Sequence, residues 1–163
     1  MDLLLVRHAI AEERSAARPD HERSLTPAGI QKLDLALAGL GGLGLVPEVV
    51  LSSPWRRALQ TAERLARPAT PRVTDALCRD ADEELFDELE GLDAEVVALV
   101  GHEPWMSDLA SWLIGSGPLA PPGLRLRKSG VAWLRGVPYP DGMELQALLR
   151  PSLLRRVGRL QRP

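Results

Sequence analysis

Two of the three histidines in this 163-residue chain, and three of its arginines, sit at or just beyond the ends of short apolar runs. Leu3 to Val6 stops at Arg7-His8, Val49 to Leu51 leads through Ser52-Ser53 to Arg56-Arg57, and Val96 to Val100 leads into Gly101-His102. A guanidinium offers a planar fork matched to phosphate oxygens and keeps its charge at any working pH. An imidazole can act as nucleophile, acid or base near neutrality. The combination fits phosphoryl transfer, which needs mainly positioning and stabilisation of charge on the equatorial oxygens. A cation cluster can supply that without a metal. No carboxylate pair at metal-ligand spacing accompanies the histidines, so a zinc or two-metal site is the weaker reading, and neither metal nor cofactor is expected. Singly, a polar residue after a strand is more often a solvated cap than a catalyst. The joint placement of Arg7, His8, Arg57 and His102 reverses that expectation. Ser52 and Ser53 lack a Gly-x-Ser-x-Gly surround and read as capping or supporting groups rather than nucleophiles.

The elements that would position these residues follow from the pattern of the chain. Leu3 to Val6, Val49 to Leu51 and Val96 to Val100 have the continuous apolar character of strands buried on both faces. Thr26-Pro27 offers a cap and a first-turn proline for a helix from about Pro27 to Leu40, closed by Gly41-Gly42. Ser53-Pro54 repeats that start for a helix through Leu65. Arg72 to Leu77 suggests a short strand, Asp82 to Leu89 an acidic helix face, and Glu103-Pro104 a turn into a helix reaching about Ile114. After a Gly and Pro loop from Gly115 to Gly123, Gly130 to Leu134 and Glu144 to Leu149 read as strands. The Arg-rich stretch from Arg150 to Arg162 reads as a solvated C-terminal face. Alternation of this kind predicts a three-layer α/β/α fold with a mainly parallel central sheet flanked by helices, in a single domain over residues 1–163. In such sheets ligands lie beyond the carboxyl ends of the strands, where Arg7, His8, Arg57 and His102 are delivered.

Composition narrows the class of partner. Twenty Lys and Arg stand against 22 Asp and Glu, a net charge of -2, which gives no footprint for nucleic acid or an anionic membrane. Any anion must be met by a local cluster. No run has the length of a membrane span. Cys78 is the only cysteine, so a disulfide framework is excluded, and a reducing cytoplasm is the expected location. A monomer is expected.

Leu5-Val6-Arg7-His8, Ser53-Pro54-x-x-Arg57-Ala58-x-x-Thr61 and Val100-Gly101-His102-Glu103-Pro104 resemble the histidine phosphatase superfamily, whose fold is that of the phosphoglycerate mutases. Ser24-Leu25-Thr26-Pro27-x-Gly29 and Arg150-Pro151 extend the likeness over most of the chain. The short branch similar to SixA-type phosphohistidine phosphatases fits best. The resemblance implies that His8 is the nucleophile and carries a transient phosphoryl group, while Arg7, Arg57 and His102 bind the phosphoryl oxygens. It implies a phosphate-bearing substrate, foremost a histidine-phosphorylated protein in signal transduction. A small-molecule phosphomonoesterase and a non-catalytic phosphate-binding module are the rival readings.

Two departures qualify the match. Ala9 stands where many members have glycine, which implies a negative φ there. No carboxylate follows Leu77 where mutases of the superfamily keep their proton donor, and Glu12, Asp80 and Asp82 are the candidates to replace it. A phosphoramidate leaves as imidazole and asks less of the acid than a sugar alkoxide does, which favours phosphohistidine. Only 44 residues lie between Arg57 and His102, positions 58 to 101, so no large lid insertion and an open pocket are expected. His21 and Arg56 read as exposed, Trp55 and Trp105 as first-turn packing with a place at the pocket edge as the alternative, and Trp112 and Trp133 as core.

Overall fold

The computed structural model describes residues 1–117 and 124–161. Six strands form one sheet, in the spatial order Arg72–Val73, Val49–Ser52, Val96–Gly101, Asp2–Arg7, Val131–Gly136 and Met143–Leu149. Strands β1 (Asp2–Arg7), β2 (Val49–Ser52), β3 (Arg72–Val73) and β4 (Val96–Gly101) are parallel to one another. Strand β5 (Val131–Gly136) runs antiparallel to β1, and β6 (Met143–Leu149) antiparallel to β5. The central strands are nearly continuous apolar runs because helices cover both faces.

Side-chain alternation along the strands divides the core. Leu3, Leu5, Leu51, Val97 and Leu99 pack with Leu85 and Leu89 of α3 (Glu83–Glu90) and Leu109 and Leu113 of α4 (Trp105–Leu113). Leu4, Val6, Val50, Ala98 and Val100 face the other way, onto Ala36 and Leu40 of α1 (Pro27–Gly42), Ala58 and Ala62 of α2 (Arg56–Leu65), and Leu154 of α5 (Pro151–Leu160). The three-layer α/β/α fold expected from the sequence is present. Trp112 and Trp133 are only partly buried, at the margins of these clusters.

Four boundaries differ from the sequence reading. Helix α1 runs through Gly41 and Gly42, and the reversal falls at Gly44, whose φ of +76° suits a residue without a side chain. Helix α2 begins at Arg56 rather than at Pro54, with no side-chain cap, because Ser53 is drawn into the site described below. The segment Arg72 to Leu77 splits into a two-residue strand and a 3-10 turn, Asp75–Cys78, whose Thr74 side chain accepts from the amide of Ala76. The Arg-rich C-terminal stretch is not simply a solvated face. It forms α5, which lies on α1 with Leu154 and Gly158 buried. A Cβ on Gly39 would collide with the Leu154 carbonyl, and one on Gly158 with that of Leu35, so these two glycines let the helix backbones touch. Part of the loop from Gly115 to Gly123 lies outside the described residues, as does Arg162. Among the described residues no helix is long and apolar enough to cross a membrane.

Candidate active site

The carboxyl ends of β1, β2 and β4 open on one cavity of about 560 Å³. Parallel pairing sets this arrangement, since Arg7 at the end of β1 is in register with Gly101 at the end of β4. The amide of His8 then donates to the Gly101 carbonyl at 3.0 Å, and the amide of Ser53 to the Val100 carbonyl at 3.0 Å. Arg7, His8, Arg57 and His102 all line the cavity. His8 is 5% exposed, Arg57 3% and His102 3%, so their polar atoms are almost wholly withdrawn from water.

The contacts of His8 fix its tautomer. Arg57 Nε, which can only donate, lies 3.1 Å from His8 Nε2. Nε2 therefore holds a lone pair, and the ring proton is on Nδ1, donating to the Ala9 carbonyl at 2.7 Å. Burial above all, then the nearby His102, Arg57 and Arg7, holds the His8 pKa down at about 3 against the opposing pull of the Ala9 carbonyl. The ring is neutral at pH 7. Ala9 itself is kept in place by Thr61, whose Oγ1 accepts from the Ala9 amide at 3.1 Å and donates to the Arg57 carbonyl at 2.7 Å. The non-glycine residues of positive φ among those described are Ser129 and Asp141, so Ala9 has the negative φ expected of it.

His102 sits with its ring centroid 5.1 Å from that of His8. Its Nε2 lies 3.0 Å from Ser53 Oγ, and its Nδ1 is buried without a hydrogen-bond partner. Its pKa is also held at about 3, chiefly by burial and then by the Arg57 charge. Arg7 gives Nη1 to the Leu126 carbonyl at 2.8 Å and leaves a buried Nε unpartnered. An orphaned buried N–H is costly in an empty site. The Arg7 Nε–H and the unpartnered His102 Nδ1 lie beside a neutral nucleophile, an arrangement suited to anionic oxygens.

The expected proton donors fare unequally. Glu12 is on the cavity wall, where its carboxylate is already engaged by Arg18 at 2.5 Å and the Ser24 amide at 3.0 Å. Asp80 and Asp82 are not wall residues, and Asp82 instead caps α3 through the Leu85 amide and pairs with Arg79. Glu103 is on the wall, half-buried, with its pKa raised mainly by desolvation.

Several working residues escaped the sequence reading. Asp20 accepts Arg57 Nη1 at its carbonyl, 2.6 Å, and Nη2 at its carboxylate, 3.1 Å, and the same carboxylate holds Arg14 and Arg23. Arg23 and Lys128 add cations to the wall. Trp55 and Trp105, by contrast, take the alternative the sequence offered and line the cavity, and the Arg57 guanidinium lies 4.6 Å over the Trp55 ring. The flanking positions of Trp55 and Trp105 beside the motifs were the signal for this; Asp20 in its polar loop offered none. His21 and Arg56 are exposed, as expected.

Known proteins share this sequence pattern and this fold. Residues 3–113 match the sequence profile of the histidine phosphatase superfamily (branch 1). An uncharacterized protein of Picosynechococcus sp. is 35% identical over 144 residues, covering 83% of this chain and 85% of that one. The protein histidine phosphatase SixA, solved with tungstate, superposes with a TM-score of 0.76 at 24% identity, over 94% of this chain and 99% of its own. A phosphoserine phosphatase from Entamoeba histolytica, solved with 3-phosphoglyceric acid, gives 0.70 at 16% identity, over 94% and 98%.

Proposed function

The chain belongs to the histidine phosphatase superfamily, and from that membership we propose that it removes phosphoryl groups from phosphohistidine on proteins, through a covalent intermediate at His8, without a metal. The observation that carries the catalytic part is the pair of contacts on His8: a proton held on Nδ1 and a lone pair on Nε2, ringed by Arg7, Arg57 and His102.

The lone pair of Nε2 attacks phosphorus, and the bond from phosphorus to the substrate nitrogen breaks as its electron pair returns to the leaving imidazole. Arg57 Nε must turn from Nε2 to a phosphoryl oxygen as the new bond forms. The unpartnered Arg7 Nε and His102 Nδ1 take the remaining oxygens. Throughout, the Ala9 carbonyl keeps its hydrogen bond to Nδ1, which stabilises the ring as it becomes cationic. Water then attacks phosphorus and frees His8 with release of phosphate.

Two features support a protein substrate. No residue between Arg57 and His102 lines the cavity, so the connection that could carry a lid leaves it open. Of the wall carboxylates, Glu12 and Glu103 are already engaged and Glu13 is exposed, and imidazole is a less demanding leaving group than an alkoxide. The test is phosphate release from a phosphohistidine peptide and from a simple phosphate ester, with a chelator present, for the native chain and His8→Ala. Chelator-resistant release from the peptide, weak on the ester and lost in the variant, is expected. Activity retained in His8→Ala would remove the nucleophile assignment, and preference for the ester would replace the substrate class.

A further inference from the structure

A second cavity, of about 340 Å³, adjoins the first and shares Arg7 and Glu103 with it. Its floor is the end of the antiparallel pair, Val131 of β5 with Leu148 and Leu149 of β6, and its rim carries Arg125, Arg127 and Arg150. Two chain segments bring these arginines together. One is the strap from Leu124 to Arg127, in which Leu126 is 1% exposed and anchors between its two outward arginines. That strap is fixed to the reaction site itself, since the Leu126 carbonyl accepts from Arg7 and the Leu126 amide donates to Glu103 Oε1 at 3.1 Å. The other is the junction of β6 with α5, where Arg150 precedes the helix without a side-chain cap to occupy it.

None of the ion pairs among the described residues involves Arg125, Arg127 or Arg150, which, unlike the unpaired arginines elsewhere among them, gather on one cavity. The one carboxylate on the wall, Glu103, is committed to Ser107 Oγ at 2.7 Å and to the Leu126 amide, and desolvation raises its pKa. Four guanidiniums on one small cavity thus face a single, already engaged acid, in a chain whose net charge is negative. Cations collected without partners beside a phosphoryl site, over an apolar floor, suit a second anionic group carried on a short apolar stem.

We propose that this arginine-rimmed cavity is a second anion subsite, which takes the acidic side chains of a protein segment flanking the phosphorylated residue while the phosphoryl group lies against His8. The occupant rests on the function proposed above: the three rim arginines are exposed, as contact with another protein's surface requires, and the anionic side chains such a surface carries are carboxylates.

Two measurements separate this proposal from that function. The first is binding of an unphosphorylated peptide rich in Asp and Glu, and of its Asn and Gln counterpart, to the native chain and to Arg125→Gln/Arg127→Gln/Arg150→Gln. The acidic peptide should bind the native chain in a salt-dependent manner and lose about tenfold in affinity in the variant, as three modest ion pairs imply. The amide peptide should not distinguish them. The second is kcat/KM on phosphohistidine peptides with acidic or amide flanks: a preference for acidic flanks should collapse in the variant, with the amide-flanked rate unchanged. Equal binding of the acidic peptide by both proteins would overturn the subsite whatever the substrate, while arginine-dependent binding without phosphohistidine hydrolysis would retain the subsite and overturn the function. An arginine-dependent preference for a small bisphosphate over a monophosphate, with no effect of acidic flanks, would overturn the protein occupant.

Discussion

Ser53 Oγ lies 3.0 Å from Nε2 of His102, and the Trp55 amide lies 3.3 Å from the same oxygen. The amide can only donate, so the serine accepts there and has one proton of its own, for which His102 Nε2 and Cys78 Sγ, at 3.2 Å, are the two acceptors in reach. Given to Nε2, that proton places the imidazole hydrogen of His102 on Nδ1, the buried nitrogen left without a partner. With its proton on that side, Ser53 is a positioning residue that makes His102 Nδ1 a hydrogen-bond donor to phosphate. Ser53→Ala should lower kcat about tenfold, roughly 1.4 kcal/mol, as an oriented hydrogen bond is lost. Because the unsupported ring could also take up the other tautomer, inhibition by vanadate should weaken in parallel. A normal inhibition constant with slowed turnover would show that the serine acts elsewhere.

Asp20 holds Arg57 at two points, and only one involves its side chain. Asp20→Asn keeps the backbone carbonyl and removes the charge shared among Arg14, Arg23 and Arg57. The site then gains positive charge while its guanidinium loses alignment. The expected result is a kcat lowered about tenfold with KM unchanged or lower, since orientation matters most in the transition state. A raised KM with normal kcat would indicate that Asp20 shapes only ground-state binding.

The buried histidines set a pH dependence whose sign is definite. Both have folded-state pKa values of about 3 against an ordinary 6.5. Below 6.5 the unfolded chain takes up protons that the folded chain refuses, so stability is full above that value and falls as pH drops toward 3. The slope approaches about 1.4 kcal/mol per pH unit for each histidine. Urea unfolding at pH 7, 6 and 5 should show the decline, and His8→Gln/His102→Gln should flatten it. An unchanged slope in the double variant would assign the decline to other groups. Turnover should show no inflection from these two rings between pH 5 and 8, because they stay neutral there.

Legibility in the sequence tracked the kind of signal each element carries. Strands β1 and β4 were plain because burial on both faces leaves an unbroken apolar run, and the residues following them were plain for the same reason. Arg7, His8, Arg57 and His102 could be grouped from position alone. Asp20 could not, since its partner lies 37 positions away and its own stretch is polar throughout. Ser53 misled in a specific way: Ser-Pro reads as a helix start, yet the hydroxyl is spent on His102 and the helix opens three residues later. Helix α5 was hidden because its buried stripe includes Gly158, which contributes contact but no hydropathy, among arginines that read as solvated.

That glycine contact supplies a pair of substitutions with opposite signs. Gly158 meets the Leu35 carbonyl where a Cβ would have to be, so Gly158→Ala must push α5 off α1 or bend one of them. Overpacking of this kind costs about 1–3 kcal/mol. Gly41, on the last turn of α1, has nothing within 4 Å of its Cβ position. Gly41→Ala therefore gains helix propensity without a clash, up to about 1 kcal/mol. Thermal unfolding should show a lower Tm for the first and an equal or higher one for the second, with kcat of the folded protein close to native in both. If Gly158→Ala were as stable as the native chain, the close packing of α5 on α1 would be the part of the structure to revise.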